Sequence, residues 1–276
     1  QKVDNTERDR TYKRQSFLTV GTINRAPVNP GCELMYYQPA NSSSYLEAPI
    51  STGSLGMDMN FGNAFYMNFW ANEGGKMMIE DFNTSGYNNT ILLMTTSATA
   101  VTLRSKAGGI GYSSISVTNS GWNMYTAVST GSQVKAYKNG HLLQTYNASI
   151  SDQSAARVIL FANSYNGNGG AKVTRSYSVA TAAKMALARV GQTELTEEQM
   201  LKMYHDEKLL FTQNAKCSLY GSSSAVTAVA YDHENNHLHV GTSSGRSEFA
   251  GLKRINNTTT AVATAISVSD GLVAEQ

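Results

Sequence analysis

Short runs of apolar and polar residues alternate along most of the chain, and clusters of glycine and asparagine separate them. This spacing is typical of antiparallel strands joined by tight turns. Asn139-Gly140 stands between two such runs, and Asn-Gly is the preferred pair for a type I′ hairpin because both central residues need positive φ. The pattern therefore predicts a β-sandwich or jelly roll, with strands over residues 64–70, 90–95, 99–103, 114–118, 122–128, 134–138, 158–161 and 172–179.

One segment near residue 200 follows a helical period instead. Thr196 is suited to cap a helix, and Gln199 occupies the matching position of a capping box. Leu195 and Met200 stand where a hydrophobic staple belongs. The sequence therefore predicts one short helix that packs on the β-domain.

The two ends of the chain differ from its centre. The first 14 residues carry eight charges, which we interpret as a solvated connector rather than a nucleic-acid-binding arm. The last 68 residues predict strands over 225–231, 238–242, 247–255 and 259–268, whose small apolar side chains make a thin core. The expected organisation is a connector at 1–33, a jelly roll at 34–208 and a small C-terminal β oligomerisation domain at 209–276.

Composition narrows the function classes. The formal net charge is +2 and 15% of residues are charged, so no global electrostatic attraction to nucleic acid or anionic membrane is indicated. No apolar run reaches 18 residues, so no membrane insertion is predicted. Cys32 and Cys217 are too few for a disulfide scaffold or a zinc site, and no cofactor is predicted.

Several motifs in the centre occur in the order found in a known family. They are Tyr45-Leu46-Glu47-Ala48-Pro49, Phe65 to Trp70, Trp122 to Val128, Tyr137-Lys138-Asn139-Gly140 and Leu195-Thr196-Glu197-Glu198-Gln199. Over roughly residues 34–208 this order resembles laminin-G-like, concanavalin-A-like lectin domains. The resemblance implies two antiparallel sheets in a jelly roll, with Trp70 and Trp122 as core residues.

The C-terminal part resembles other proteins. Residues 226–242 resemble one blade of a β-propeller, which cannot bury both faces alone. The run 195–273 resembles C-terminal segments of tailed-phage tail-fibre and tailspike proteins. This resemblance implies a virion protein that forms a homotrimer and that meets other virion proteins.

Candidate catalytic and metal-binding residues are sparse. The acids of the centre are Glu33, Glu47, Asp58, Glu73, Glu80, Asp81 and Asp152, and no pair has the strand spacing that a retaining glycosidase needs. We therefore predict that the chain is not an enzyme, with an extracellular glycoside hydrolase as the weaker alternative. His237 and His239 share a strand face and His233 lies nearby, so a metal site and a polar hairpin tip both stay open. Calcium binding by Asp58 and Asp81 also stays open.

Sugar binding is the activity that the lectin resemblance implies. It requires an aromatic ring and amide groups, usually on loops. The candidates are Tyr87 with Asn83 and Asn88, and Tyr165 with Asn163 and Asn166. The hypothesis is a non-enzymatic virion fibre or spike protein that binds host-surface glycan or decorates the particle. The alternative is a purely structural subunit of a tail or capsid.

Overall fold

The computed structural model describes residues 6–8, 16–48, 64–72, 74–81, 90–105, 110–148, 150, 156–166, 175–179, 181–262, 267–269 and 272–274. The chain divides into two compact units. Unit 1 comprises Gln1–Ala26 and Tyr36–Leu201, and unit 2 comprises Pro27–Met35 and Lys202–Gln276. Among the described residues, no helix is both long enough and apolar enough to cross a membrane.

Unit 1 is built almost entirely from β-strands. In chain order they are β1 Thr6–Arg8, β2 Ser16–Val20, β3 Ile23–Pro27, β4 Met35–Pro39, β5 Tyr45–Glu47, β6 Phe65–Asn72, β7 Gly75–Asp81, β8 Thr90–Thr96, β9 Ala100–Ser105, β10 Gly111–Ser116, β11 Asn123–Ser129, β12 Gln133–Lys138, β13 His141–Asn147, β14 Ala156–Leu160, β15 Ala162–Asn166, β16 Arg175–Val179 and β17 Lys184–Gly191.

These strands form two large antiparallel sheets in the described part of the chain. The eight-stranded sheet has the order β1-β2-β5-β14-β7-β8-β9-β10, and the seven-stranded sheet has the order β13-β12-β11-β6-β17-β4-β3. Alternate residues of each sheet point inward and form one core, which includes Phe69 and Tyr125 from one sheet and Ile79 and Leu92 from the other. The predicted all-β jelly-roll sandwich with one short helix is confirmed.

The predicted hairpin turn joins β12 to β13. Asn139 has φ 54° and Gly140 has φ 84°, as a type I′ turn requires. A Cβ at Gly140 would lie 2.8 Å from Leu201 Cδ2 and 3.0 Å from Leu201 Cα. The glycine is therefore required by the backbone conformation and by the close approach of the helix that contains Leu201.

That helix is α1, Glu197–Lys208, followed by a 3-10 turn at Leu209–Phe211. Thr196 Oγ1 accepts from the backbone N–H of Gln199 at 3.2 Å, and Gln199 Oε1 accepts from the backbone N–H of Thr196 at 3.0 Å. The predicted capping box is confirmed, because each side chain accepts a hydrogen bond from the backbone N–H of the other residue. Met200, the apolar residue of the first turn, is fully buried.

Unit 2 contains the C-terminal strands. β18 Val226–Asp232, β19 His237–Thr242, β20 Gly245–Ala250 and β21 Lys253–Asn257 form an antiparallel meander, and β22 Ser267–Ser269 pairs with β23 Leu272–Ala274. The single strand predicted over 247–255 is wrong, since the chain reverses at Gly251, where φ is 56°. Of the strand predicted over 259–268, the structure describes residues 259–262 as non-strand and 267–268 as β22.

The predicted connector, residues 1–33, is divided between the two units. Strands β2 and β3 belong to the sandwich sheets, because Phe17 and Ile23 pack against the core. In unit 2, the carboxylate of Glu33 accepts from the backbone N–H groups of Cys217 and Ser218, each at 2.9 Å. The short connector segment thus contributes to both folds. The oligomerisation role expected for 209–276 stays a prediction.

Candidate functional site: an aromatic platform on the seven-stranded sheet

The residues predicted to bind sugar fall in two places. Asn83, Tyr87 and Asn88 lie outside the described residues. Asn163, Tyr165 and Asn166 were expected on a loop, and the structure corrects this by placing them in strand β15, which pairs with β16. Backbone pairing along this ribbon, rather than an open loop, fixes their position. Their contact with sugar stays a prediction.

The two tryptophans have different environments. Trp70 in β6 is 1% exposed, as the resemblance implied. Trp122 is only half-buried and lies just before β11, so its predicted place in the core is wrong. Its ring centroid lies 5.9 Å from that of Tyr36, with the ring planes tilted by 45°. We call this pair of rings the aromatic platform.

Neighbouring strands of the seven-stranded sheet bring the platform together. Tyr36 belongs to β4, and Lys184 belongs to the adjacent β17, with its Nζ 5.9 Å from the centroid of the Tyr36 ring. Strand β6 separates β17 from β11, and its Asn72 is the register partner of Lys184. The platform therefore spans one end of four consecutive strands.

The platform faces away from the sandwich core. The core contains or contacts Ala71, Met185 and Tyr37. Each of these is the immediate sequence neighbour of a residue at the sheet end. Because successive side chains of a strand point to opposite faces, Asn72, Lys184 and Tyr36 lie on the outer face.

A hydrogen-bond network holds the turn that carries Trp122. Gly121 before it has φ 62°. The side-chain amide of Asn123 donates to the carbonyls of Ser120 and Gly121 at 3.1 and 3.2 Å, and Asn139 Nδ2 donates to Asn123 Oδ1 at 3.0 Å. Asn139 Oδ1 in turn accepts from the backbone N–H of Met124 at 2.9 Å. The backbone on both sides of Trp122 is therefore held in place by the fold.

The charge of the seven-stranded sheet has one sign. Within its strands, all of which the structure describes, no residue is Asp or Glu, and besides His141 the charged residues are Arg25, Lys135, Lys138, Lys184 and Arg189. Arg189 Nη1 donates to the buried Asn68 Oδ1 at 3.1 Å on the outer face. By strand alternation Lys135, Lys184 and Arg189 lie on the outer face, whereas Arg25 and Lys138 have the parity of the core-facing Ile23 and Ala136.

Two acidic residues act on Tyr137 in β12. Burial raises the pKa of Tyr137, and the charges of Glu197 and Glu194 raise it further. Tyr137 pairs with Thr126, four residues along the chain from Trp122. Tyr137 is also two residues before Asn139, so this end of β12 adjoins the turn that carries Trp122.

The acids considered for catalysis are dispersed. Glu80 and Asp81 are consecutive in β7, Glu47 is in β5, and Asp58, Glu73 and Asp152 lie outside the described residues. Glu33 belongs to unit 2. Burial raises the pKa of its carboxyl, but hydrogen bonds from Cys217 and Ser218 and the charge of Arg254 outweigh burial and leave the pKa below its usual value. This carboxylate has a structural role.

The histidine cluster forms a polar hairpin tip. Asp232 Oδ1 accepts from the backbone N–H groups of Glu234 and Asn235 at 2.9 and 3.2 Å, which closes the turn between β18 and β19. His237 Nδ1 lies 2.9 Å from Glu248 Oε1. The part of the chain that the structure describes contains no group of three or more His, Cys, Asp or Glu that could hold a metal ion.

Comparison with known proteins finds no matching family model and no matching curated protein. Solved structures with a similar fold include HCR/D-Sa-GBL1/C, at a TM-score of 0.50 and 12% identity, which covers 91% of this chain and 60% of that one. Another is the binding domain of Botulinum Neurotoxin DC in complex with SialylT, at a TM-score of 0.49 and 12% identity over 90% of this chain and 59% of that one. A third is the binding domain of Paraclostridial Mosquitocidal Protein 1, at a TM-score of 0.48 and 11% identity over 87% of this chain and 62% of that one.

This chain therefore spans about 60% of the length of these structures. At such low identity the likeness concerns the fold alone. It agrees with an all-β sandwich.

Proposed function

We propose that the chain is a non-enzymatic sugar-binding protein and that the aromatic platform is its site. The observation that carries the proposal is the half-buried Trp122 ring against Tyr36, on the outer face of the sheet. A sugar ring has an apolar face of C–H groups that packs on an aromatic ring, and hydroxyl groups at its edge that need polar partners.

Polar partners lie beside the rings. Asn72 and Gln38 carry amides on the same outer face, by strand alternation from Ala71 and Tyr37. The Gln38 amide donates to the carbonyl of Thr181 at 3.1 Å, which fixes the direction of its side chain. An amide both donates and accepts, as a sugar hydroxyl does, so one stacked sugar can be held at its face and at its edge.

A glycan array probed with the whole chain tests this function. The variant Trp122→Ala should lose about tenfold or more in affinity for any glycan bound, as expected for a buried aromatic anchor. The control is Leu252→Ala, which removes an exposed apolar side chain at the turn between β20 and β21 in unit 2 and should leave binding unchanged. Equal binding by Trp122→Ala and the wild type, with an unchanged melting temperature, would contradict the proposal.

The whole chain also serves to distinguish sugar binding from a purely structural role and from glycoside hydrolysis. A chain that binds no glycan on the array would favour a purely structural subunit. Release of reducing ends from host polysaccharide would favour a glycoside hydrolase. We expect binding without release.

The virion setting is a further part of the proposal. Its support is the resemblance of residues 195–273 to C-terminal segments of tail-fibre and tailspike proteins. In that setting the chain would attach a particle to host-surface glycan or decorate it. Mass spectrometry of purified particles should detect the chain, and its absence from them would contradict this part.

We also propose that the chain forms a homotrimer through unit 2. In the described part of the chain β18 is the terminal strand of its sheet, and it exposes Val226, Val229 and Tyr231 by 51, 60 and 48%. An apolar terminal strand of this kind favours pairing with another copy.

Light scattering tests the trimer. The whole chain should have three times its mass of 29.8 kDa. Val229→Glu should lower the measured mass, because a charge at the contact opposes its burial. The control Leu142→Glu, at an exposed apolar position on β13 in unit 1, should not. A monomeric wild-type chain would contradict the proposal.

A further inference from the structure

The aromatic platform has two rings, and an amide lies beside each of them. The register that pairs β11 with β6, continued by one residue, places Trp122 opposite Asn72 at the end of β6. Gln38 is two residues after Tyr36 on β4, and alternate residues of a strand share a face. All four residues are half-buried. The platform therefore consists of two ring–amide pairs, Trp122 with Asn72 and Tyr36 with Gln38.

The spacing of the two pairs fits consecutive units of a glycan chain. The ring centroids of Tyr36 and Trp122 are 5.9 Å apart, which is close to the distance between the centres of consecutive sugar rings. The ring planes are tilted by 45°, and neighbouring sugars in a chain can also be turned against each other about the glycosidic bond. The strands that carry the amides are farther apart, because β17 separates β6 from β4 and neighbouring strands are about 4.8 Å apart. Two linked sugars can therefore contact both pairs, whereas a single sugar fits one.

The amide of the second pair is directed by a hydrogen bond. Gln38 Nε2 donates to the carbonyl of Thr181 at 3.1 Å. Because this hydrogen bond uses the nitrogen, Gln38 Oε1 can accept from a sugar hydroxyl. The second pair thus offers a sugar the face of the Tyr36 ring and an acceptor beside it.

We infer, on the basis of the proposed sugar-binding function, that the platform binds two consecutive sugar units of an oligosaccharide. One unit stacks on Trp122 and hydrogen-bonds to Asn72, and the other stacks on Tyr36 and hydrogen-bonds to Gln38. The second unit adds its contacts without a second loss of translational and rotational freedom. A disaccharide therefore binds more tightly than a monosaccharide, and Gln38 is a residue that determines this preference.

The test compares sugars of increasing length by NMR titration of the whole chain. The series are methyl glucoside, cellobiose and cellotriose; N-acetylglucosamine, chitobiose and chitotriose; and the mono-, di- and trisaccharide fragments of any glycan bound on the array. In at least one series the wild type should bind the disaccharide about tenfold more tightly than the monosaccharide, with little further gain for the trisaccharide. Gln38→Ala should abolish the gain from the second unit and leave the affinity for the monosaccharide unchanged, because a single sugar stacks on the larger Trp122 ring.

Gln144→Ala is the matched control. Gln144 is an exposed glutamine on β13 of the same sheet, and its Nε2 also donates to a backbone carbonyl, that of Thr145, at 3.2 Å. This variant should keep the gain from the second unit. If Gln38→Ala does not fold, saturation-transfer NMR on the wild type provides the second measurement: protons of both units of the disaccharide should receive magnetisation from the protein.

Each way of failing has a distinct meaning. Equal affinity of the wild type for mono- and disaccharides in every series would overturn the inference and leave the proposed function standing. The same would follow if Gln38→Ala weakened both sugars equally, because Gln38 would then only support the fold around Tyr36. A further tenfold gain for the trisaccharide would overturn the number of two units. Failure of every sugar to bind, in these series and on the array, would overturn the proposed function and the inference together.

Discussion

The two sheets of unit 1 share one core but differ in charge. The strands of the eight-stranded sheet include Arg8, Lys76, Arg104 and Arg157, balanced by Glu7, Glu47, Glu80 and Asp81. Those of the seven-stranded sheet include basic residues and, over the same described strands, no acid. Core packing constrains the inward positions of both sheets in the same way. The one-sided charge of the seven-stranded sheet is therefore not a requirement of the sandwich core.

The largest loss of unfolding free energy is expected when two glycines are compared, one at a hairpin of each sheet. Gly140→Val forces a β-branched residue to φ 84° and brings its Cβ to 3.0 Å from the backbone of Leu201. Gly111→Val meets a similar conformation, φ 65°, with nothing within 4 Å of its Cβ. Backbone strain of about 1–2 kcal/mol applies to both, and overpacking adds roughly 1–3 kcal/mol to Gly140→Val alone.

Chemical denaturation of the two variants measures this difference in unfolding free energy. Gly111→Val should fold with a modest loss, and Gly140→Val should be poorly folded. Equal losses would mean that a side chain at Gly140 can be accommodated beside Leu201 and that the glycine is required only by its backbone conformation.

A smaller loss of unfolding free energy is expected from a substitution in the turn that carries Trp122. Asn123→Ala removes the donor to the Ser120 and Gly121 carbonyls and the acceptor of the Asn139 amide, and the loss of these hydrogen bonds should cost about 1–3 kcal/mol in unfolding free energy. Sugar affinity should fall as well, because the Trp122 ring is no longer held.

Asn147→Ala is the control on the same sheet, since its side chain is exposed and bonds only to Gln133 among the contacts described for it. It should change neither stability nor binding by more than a few tenths of a kcal/mol. A stable Asn123→Ala variant with wild-type affinity would show that the network does not position the platform.

The smallest loss of unfolding free energy is expected from removal of the N-terminal cap of α1. Thr196→Ala should lower the unfolding free energy by about 0.5–2 kcal/mol, because the N–H of Gln199 loses its acceptor. Thr193→Ala is a nearby control: the Thr193 hydroxyl lies 3.5 Å from the carbonyl of Glu194 and has no capping role. Thermal melting should separate the two variants, and identical melting temperatures would contradict the capping assignment.

Much of the sandwich is predictable from local sequence, and the platform is not. The Asn139-Gly140 turn and the Thr196 capping box depend on a few neighbouring residues, so their signals are visible in one segment. Strand β15 was missed because its Asn and Ser residues indicate a turn, whereas pairing with β16 makes it a strand.

The platform escaped sequence analysis because its residues are far apart in the chain. Tyr36, Trp122 and Lys184 meet only through the strand order β11-β6-β17-β4, which a single sequence does not specify. A local signal did exist at Tyr36-Tyr37, where two consecutive aromatic residues on a strand must face opposite sides of the sheet. One of them therefore had to point away from the core.

The most direct test of the platform uses the fact that the chain has two tryptophans. Each gives one indole N–H signal in an NMR spectrum, and Trp122→Phe assigns them. On titration with a bound sugar, the signal of Trp122 should move with the concentration of sugar, and it should move further than that of Trp70, which is buried on the same outer face two residues from Asn72. Binding of a sugar that leaves the Trp122 signal unmoved would contradict the assignment of the site to the outer face of the seven-stranded sheet.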